Sequence, residues 1–170
     1  MTLRPATAAL VVVMFAAAGS AAAEDTKRLG KHGEWESYAY AEGGSKVCYA
    51  AAAATKVQGG DKGKNGLVVI VTHRAKGANE VSVTGQGAFK KDSDVEMQIG
   101  ATKHSLFTRA DHAWAKDGTA DKAIVAAMQK GREITLHATP AKGSAITGSV
   151  PLSGFSDALA AIDKACSVKR

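Results

Sequence analysis

Residues 80–100 have the sequence EVSVTGQGAFKKDSDVEMQIG, which contains two short segments of alternating apolar and polar side chains. In the first segment, Val81 and Val83 alternate with Ser82 and Thr84. The second segment continues the pattern through DVEMQI. Because successive side chains of a strand point to opposite faces of a sheet, strict alternation is typical of a half-buried strand. This part of the chain therefore predicts two strands that each bury one face.

Strand patterns extend outward from this stretch in both directions. Residues 67–72, LVVIVT, form a continuous apolar run, which predicts a central strand buried on both faces. A short break at Gly100 separates the strand at 95–99 from another at 104–108, which predicts a tight hairpin. The segment 59–66, GGDKGKNG, predicts a flexible polar loop. Further strands are predicted at 35–41, 47–54, 134–138 and 145–152.

A first helix is predicted at residues 120–130. Thr119 stands at the position of an N-terminal cap, and Gly131 follows the last helical residue, where a left-handed conformation is expected. One face of this helix is apolar and consists of Ala120, Ile124, Ala127 and Met128.

A second helix is predicted at residues 155–166. Its apolar side chains recur at helical spacing and form a single stripe of Phe155, Leu159, Ile162 and Cys166. Ser153 and Ser156 are interpreted as capping or first-turn residues of this helix. The stripe places Cys166 toward the protein core.

The N-terminus has the order of a secretory signal peptide. Arg4 supplies a basic start, residues 8–18 form an uncharged apolar run, and the small residues Ala21 and Ala23 precede the charged Glu24. The apolar run is shorter than the ~20 residues that a membrane-spanning helix needs. We therefore expect cleavage after Ala23 and a mature chain without a transmembrane span. We expect it to be periplasmic, or secreted and associated with the outer membrane.

The remaining residues, 24–170, are predicted to form a single β-rich domain. Runs of strands followed by two helices differ from the alternating strand–helix pattern of a parallel sheet. We therefore expect a mainly β fold, sandwich-like and antiparallel, with two α-helices in the C-terminal third.

The chain is basic, with 22 Lys and Arg residues against 16 Asp and Glu residues and a formal net charge of +6 at pH 7. Solubility is one interpretation of this charge. Attraction to an anionic lipid, a lipopolysaccharide or an anionic polysaccharide is the other. Few aromatic residues are expected at the surface, no nucleic-acid-binding module is recognised, and the compartment is unsuited to it, so nucleic-acid binding is not expected.

Two cysteines, Cys48 and Cys166, both follow the leader. In an oxidising compartment an even pair of cysteines is typical of a disulfide. A metal-binding thiolate pair or a redox couple is the alternative. The chain contains no C-x-x-C motif, and no histidine neighbours either cysteine. We therefore predict a structural disulfide that joins the last helix to an early strand.

Histidines are the other candidate chemical groups, and they are His32, His73, His104, His112 and His137. The nearest approach to a metal-binding pattern is Asp111-His112 with His104 upstream, whereas zinc sites normally show tighter ligand pairs and three or four donors. We predict no catalytic residue, no metal and no cofactor. The alternative is a small periplasmic enzyme or metal-binding protein with a pocket around His73, Asp111 and His112. His137 is expected to face solvent.

Several segments together resemble a known family. They are GEWESY (33–38), KVCYAAAAATK (46–56), VTHR (71–74), EVSVTGQGAFKKDSDVEMQIG (80–100), LFTRADHAWAKDGTADKAIVAAMQKG (106–131) and LSGFSDALAAIDKACSVKR (152–170). The chain is similar to the invasion-associated locus B family of alphaproteobacterial exported proteins, and the most specific motifs are GF-x-x-ALAAIDKAC and FKKDSDV. The resemblance implies a periplasmic or outer-membrane-associated β-rich domain. It implies no enzymatic activity, cofactor or catalytic residue.

These observations predict a non-catalytic exported envelope protein that acts as an interaction module. Its expected partner is another envelope protein or an anionic glycan or lipid surface. A link to host-cell invasion follows from the resemblance alone.

Overall fold

The computed structural model of the chain describes residues 25–60 and 66–170. Within these ranges it contains eleven strands and two helices. The strands are β1 (Lys27–His32), β2 (Trp35–Glu42), β3 (Ser45–Ala53), β4 (Lys56–Gly59), β5 (Leu67–Arg74), β6 (Gly77–Gly85), β7 (Asp94–Ile99), β8 (Thr102–Arg109), β9 (His112–Ala115), β10 (Glu133–Ala138) and β11 (Ile146–Pro151). The helices are α1 (Gly118–Lys130) and α2 (Phe155–Cys166).

All eleven described strands belong to one antiparallel sheet, in the order β1-β2-β3-β5-β6-β9-β8-β7-β10-β11-β4. The predicted class, mainly antiparallel β with two helices in the C-terminal third, is confirmed. The two halves of the fold are parts of one continuous hydrogen-bonded sheet, because β9 links β6 to β8.

The sheet curls so that its last strand, β4, lies near the interior strand β3. The chain passes directly from β3, an interior strand, to β4, which forms the last strand of the sheet. The two residues between β3 and β4 form hydrogen bonds with β5, the neighbour of β3, and with β11, the neighbour of β4. Ala54 donates its N–H to the carbonyl of Leu67 at 2.8 Å, and Thr55 donates to the carbonyl of Ser149 at 2.9 Å. One apolar core lies on the inner face of the curled sheet.

Helix α2 covers part of the inner face, against β1, β2, β3 and β5, while α1 packs on β6 and β9. Trp35 at the start of β2 contacts Phe155 at the start of α2, with ring centroids 4.8 Å apart. The Trp35 indole N–H donates to the Pro151 carbonyl at 2.8 Å, and the buried Ser37 hydroxyl donates to the Ala158 carbonyl at 3.1 Å. These bonds satisfy the polar atoms that the strand brings into the core.

The strands predicted from alternation are all present, with ends that differ by up to three residues. Pairing of Ile99 with Thr102 confirms the predicted hairpin, and His137 is exposed as expected. Three strands were missed because their sequences lack an alternating apolar pattern of sufficient length: KRLGKH in β1, KVQG in β4 and HAWA in β9.

The prediction that residues 67–72 are buried on both faces is wrong. The inner-face side chains of β5 are buried, but Val68 and Ile70 on the other face are partly exposed. No described helix packs against that face, so the apolar run is only half covered. This outer face of the sheet, opposite the apolar core, is therefore not covered by a described helix.

The predicted end of α1 at Lys130 is confirmed, but its start is two residues earlier than predicted, and both of its caps differ from the prediction. The N-terminal cap is Asp117, whose carboxylate accepts the backbone N–H groups of Thr119 and Ala120 at 2.9 Å each. A carboxylate two residues earlier thus takes the role predicted for Thr119. Gly131 has φ −79° rather than a left-handed conformation, and its N–H closes the helix by donating to the Ala127 carbonyl at 2.8 Å.

The predicted range of α2 is confirmed, but its first turn is built differently. The capping residue is Gly154, with φ +86° and no side-chain cap, so Ser153 and Ser156 do not cap the helix. A Cβ at Gly154 would lie 2.2 Å from the carbonyl oxygen of His32. The absence of a side chain therefore lets α2 begin directly against the β1–β2 turn.

No helix in the described ranges is both long and apolar enough to cross a membrane. The predicted signal peptide, residues 1–23, lies outside these ranges, as do residues 61–65 of the predicted loop.

Candidate functional site

Aromatic side chains divide between the two faces of the sheet. Trp35, Phe89 and Phe155 belong to the inner core. The other Phe, Tyr and Trp residues of the described ranges lie on the outer face, and they are Tyr38, Tyr40, Tyr49, Phe107 and Trp114. Phe107 is 48% exposed, and the other four are half-buried.

Strand register explains why these aromatic residues share a face. Along one row across the sheet, Tyr38 pairs with Tyr49, Tyr49 with Thr72, and Thr72 with Glu80. Residues paired across neighbouring strands point to the same side, and alternate residues of one strand do so as well. A parallel row contains Ala51, Ile70, Ser82, Trp114 and Phe107.

The aromatic residues form two separate groups. In the first, Tyr38 stacks on Tyr49 with centroids 5.1 Å apart, and Tyr40 meets Tyr49 edge-on at 6.1 Å. In the second, Trp114 lies 5.4 Å from the stacked His112 ring and 5.8 Å from Phe107. Tyr49 is on β3 and Trp114 on β9, with β5 and β6 between them. Three inter-strand spacings therefore separate the groups at the backbone, about 14 Å.

A groove of about 520 Å³ lies between the two groups. Side chains of β5 and β6 form its floor, and the two small ones, Thr72 and Ser82, are each only 6% exposed. We call this site the outer-face groove and define it by its lining residues: Thr26, Tyr40, Tyr49, Ile70, Thr72, Arg74, Glu80, Ser82, His112 and Trp114. Its volume is within the range of about 300–1,000 Å³ that is typical of small-molecule sites.

Charges in the groove are paired with opposite charges. The Arg74 Nη1 atom lies 2.6 Å from Oε2 of Glu42, and its Nε atom lies 3.9 Å from Oε1 of Glu80. Arg74 thus stands between two carboxylates. The groove offers hydrogen-bond donors and acceptors without a net charge of one sign.

Tyr38 and Tyr49 keep their protons at neutral pH, because the pKa of each is raised. The Tyr38 hydroxyl donates to the Glu36 carboxylate. This bond raises the pKa of Tyr38 and lowers the pKa of Glu36. Burial raises the pKa of Tyr49. The hydroxyl of Tyr49, which lines the groove, is therefore a neutral hydrogen-bonding group.

The Asp111-His112 pair lies at the side of the groove. The His112 Nδ1 atom is 2.9 Å from Oδ1 of Asp111, and this hydrogen bond lowers the pKa of Asp111. His104 pairs with Met97, on the opposite face from His112, and burial lowers the pKa of its imidazole. Among the described residues, no group of three or more His, Cys, Asp or Glu side chains is arranged to hold a metal ion.

His73 is on the inner face of β5 and is 1% exposed. Its Nδ1 atom accepts the backbone N–H of Asn79 at 3.0 Å, so its Nε2 atom carries the proton and donates to Oδ1 of Asp163 at 2.7 Å. Arg170 also pairs with Asp163, and its Nη2 atom donates to Oδ1 of Asn79 at 2.8 Å. Both nitrogens of His73 are thus occupied, and this cluster ties α2 to β5 and β6.

Cys48 and Cys166 lie beside this cluster at disulfide distance, with their Cα atoms 6.0 Å apart. Cys48 is directly opposite His73 in the β3–β5 pair. The bond joins α2 to β3, which are the elements predicted from the sequence.

The alternative pocket around His73, Asp111 and His112 does not form. His73 faces the core under α2, whereas His112 pairs with Thr84 and faces the outer side of the sheet. The sheet itself separates the two imidazoles. The sequence-based alternative placed His73 and His112 in one pocket, whereas alternation along the strands puts them on opposite faces of the sheet.

A family model described as "Invasion associated locus B (IalB) protein" matches residues 35–163, which is more than half of the chain. The chain belongs to the invasion associated locus B family. A solved structure of invasion associated protein B from Bartonella henselae is similar to it, with a TM-score of 0.57 and 20% identity over 81% of this chain and 96% of that chain. At this identity the likeness shows a shared fold. No curated protein matches the chain.

This family member has a second cavity, of about 320 Å³, at one end of the curled sheet. It is lined by residues 85–89 and 140–142 together with Leu67 and Ile146. Lys142 is the charged residue of its lining.

The outer-face groove was not predicted from the sequence, for a physical reason. Alternation in β2 shows that Tyr38 and Tyr40 share a face, but it does not show which strands lie next to β2. The groove depends on β9 pairing with β6, and β9 is only four residues long. The signal that was available is that Glu36, Tyr38, Tyr40 and Glu42 all share one parity of β2.

Proposed function

We propose that this chain is a non-catalytic binding module of the cell envelope and that the outer-face groove is its binding site. The observation that carries the proposal is the groove itself, in which two aromatic groups flank a floor that contains the hydroxyl residues Thr72 and Ser82. Partly exposed aromatic residues beside hydrogen-bonding groups are typical of binding sites. The partner is another component of the envelope, and the groove recognises it by contact and hydrogen bonding.

The surroundings of His112 support a non-catalytic role. Catalytic serine and cysteine sites place a hydroxyl or thiol within hydrogen-bond reach of the base. In the part of the chain that the structure describes, the hydrogen-bond partner of the His112 ring is Asp111. Neither the family's description nor the name of the similar Bartonella protein refers to a reaction.

Export supports the proposed compartment and is tested separately. The predicted leader and the Cys48–Cys166 pair both fit an oxidising compartment. Mass spectrometry of the protein purified from its host is expected to find Glu24 at the N-terminus. Retention of residues 1–23 in a cytoplasmic fraction would contradict the proposal.

Binding is tested by co-sedimentation of the purified protein with isolated cell-wall sacculi and with outer-membrane vesicles of the host. We expect the wild type to co-sediment with one of these fractions. Tyr49→Ala and Trp114→Ala remove one side chain from each aromatic group and are expected to reduce the bound fraction severely. His137→Ala removes an exposed ring on β10 that belongs to neither aromatic group and does not line the groove, so it is the matched control.

Three possible results decide whether the proposed binding role of the groove is accepted or rejected. Loss of binding in both groove variants, with the control unchanged and all three variants folded by circular dichroism, supports the proposal. Wild-type binding that neither groove variant changes places the contact elsewhere and rejects the groove. Failure of the wild type to bind either fraction rejects the envelope-binding role.

A further inference from the structure

We infer that the outer-face groove binds a saccharide chain that carries no net charge. This inference rests on the proposed function, since it names the class of partner for the same site. It is carried by the shape of the groove, by its side-chain chemistry, by its charge balance and by the position of its strands within the sheet.

The shape fits a chain rather than a compact ligand. The aromatic groups on β3 and β9 are walls, and the two strands between them provide a floor. Such a cleft is open toward solvent along its length and confines a ligand from two sides. Its volume of about 520 Å³ leaves room for several linked rings.

The side chains match the two kinds of surface that a sugar ring presents. A pyranose ring has C–H faces that pack on aromatic side chains and a rim of hydroxyl groups that both donate and accept hydrogen bonds. Tyr49 and Trp114 supply the aromatic contacts. Arg74 supplies donors, Glu80 supplies acceptors, and the Thr72 hydroxyl can do either. Alternating ring contacts and hydrogen bonds along one cleft suit a polyhydroxylated ligand.

The location of the strands disfavours a peptide. An extended peptide gains affinity by adding to an unpaired sheet edge, and a helix needs a continuous apolar groove. β3, β5, β6 and β9 each lie between two neighbouring strands, and β6 pairs with β9 at residues 82–84, so the floor of the groove lies inside the sheet rather than at its edge. Thr72 and Ser82 interrupt the apolar surface of the floor.

The charge balance disfavours a polyanion. The net charge of +6 belongs to the whole chain, whereas the groove has one arginine and one glutamate. Arg74 is held between Glu42 and Glu80, and these carboxylates repel an anionic ligand. A chain of uncharged sugars avoids this repulsion and still uses every polar group of the floor.

The experiment titrates the exported protein with two neutral tetrasaccharides, chitotetraose and maltotetraose, and with a heparin-derived tetrasaccharide as the polyanion. Binding is followed by calorimetry and by intrinsic fluorescence. Of the two tryptophans, Trp35 is buried and Trp114 lines the groove, so a fluorescence change reports on the groove. We expect a neutral tetrasaccharide to bind and to change the fluorescence of Trp114.

Variants test the contacts. Tyr49→Ala and Trp114→Ala are expected to weaken binding by about tenfold or more, as for central aromatic contacts in other interfaces. Thr72→Val preserves the shape of the floor and removes one hydroxyl, so it tests hydrogen bonding with little risk to folding, and we expect severalfold weaker binding. His137→Ala, which removes an exposed ring outside the groove, is the matched control and is expected to change the affinity by less than about twofold.

The outcomes separate this inference from the proposed function. If only the heparin fragment binds, or neither neutral tetrasaccharide binds, the inference is wrong. If that happens while Tyr49→Ala and Trp114→Ala still abolish co-sedimentation with the envelope fraction, the proposed function stands and its partner is of another class. Neutral-sugar binding that Trp114→Ala and Thr72→Val leave unchanged also overturns the inference.

Discussion

The Nε2 atom of His73 lies 2.7 Å from Oδ1 of Asp163, although 90 residues separate the two in sequence. His73 is on the inner face of β5 and Asp163 is on α2, so the bond fixes the last helix against the middle of the sheet. Asp163 also holds Arg170, which reaches Asn79. The cluster is a structural connection, because each of its polar groups is satisfied within it.

Replacement of Asp163 by Ala is expected to lower the free energy of unfolding by about 1–3 kcal/mol, because it leaves the buried N–H of His73 without an acceptor. Urea unfolding with the disulfide intact measures the effect. Asp163→Asn keeps an oxygen acceptor and is expected to cost less. Lys164→Ala, at the next position of α2, is the surface control. Equal stability of Asp163→Ala and the control would contradict a role for this bond.

The Cys48–Cys166 pair is expected to leave no free thiol when the exported protein is denatured without reductant. Thiol titration under these conditions tests the pairing directly. If the bond is present, replacing both cysteines by Ser is expected to cost about 2–5 kcal/mol of stability. Two free thiols per chain, or a double variant as stable as the wild type, would contradict it.

The N-terminus of α1 offers a test of local structure. Asp117→Ala removes the acceptor of two backbone N–H groups and is expected to cost about 1 kcal/mol. Thr119→Ala removes a side chain that does not cap the helix and is expected to stay within about 0.5 kcal/mol of the wild type. Thermal or urea unfolding of both variants gives the comparison. A larger loss for Thr119→Ala would restore the cap predicted from the sequence.

Asp121 gives a prediction about pH. Burial raises the pKa of its carboxyl, although the carboxylate accepts the backbone N–H of Val81 at 2.8 Å. A carboxyl whose pKa is raised on folding binds its proton more tightly in the folded state. Its contribution to stability is therefore greatest at low pH and declines as pH rises through the folded pKa.

NMR titration of the aspartate carboxyl carbons checks this prediction. We expect Asp121 to titrate above the ordinary range for aspartate and Asp111 to titrate below it. Asp121→Asn is expected to flatten the acid part of the stability profile. An Asp121 pKa at or below the ordinary value would show that the Val81 hydrogen bond outweighs burial.

The parts of the fold that could be predicted are those controlled by local periodicity. The stripe of Phe155, Leu159 and Ile162 located α2 because one helical face must be apolar to pack on the sheet. Alternation located β7 in the same way. The cap of α1 was placed two residues late, since both Asp117 and Thr119 have side chains that can cap a helix.

The candidate site depends on information that periodicity does not contain. Tyr49 and Trp114 face one groove because β5 and β6 pair between β3 and β9, and strand order is a property of the whole fold. His73 and His112 are separated because they lie on opposite faces of this sheet. Residue types alone therefore grouped the histidines wrongly and left the aromatic residues unassigned.

The net charge of +6 leads to a final prediction about anionic surfaces, which are among the partners expected from the sequence. If the charge serves recognition, binding to vesicles containing anionic lipid, or to lipopolysaccharide, is expected to weaken sharply as salt rises. The reason is that exposed charges are screened beyond ~8 Å at physiological ionic strength.

Two variants test where such binding occurs. Because the groove is charge-balanced, Trp114→Ala is expected to leave the binding to anionic surfaces unchanged. Lys90→Ala combined with Lys91→Ala removes two basic residues outside the groove and is expected to weaken this binding. Vesicle co-sedimentation across a salt series measures both effects, with neutral-lipid vesicles as the control. Absence of binding at low salt would assign the positive charge to solubility, and salt-independent binding that Trp114→Ala abolishes would place these surfaces in the groove after all.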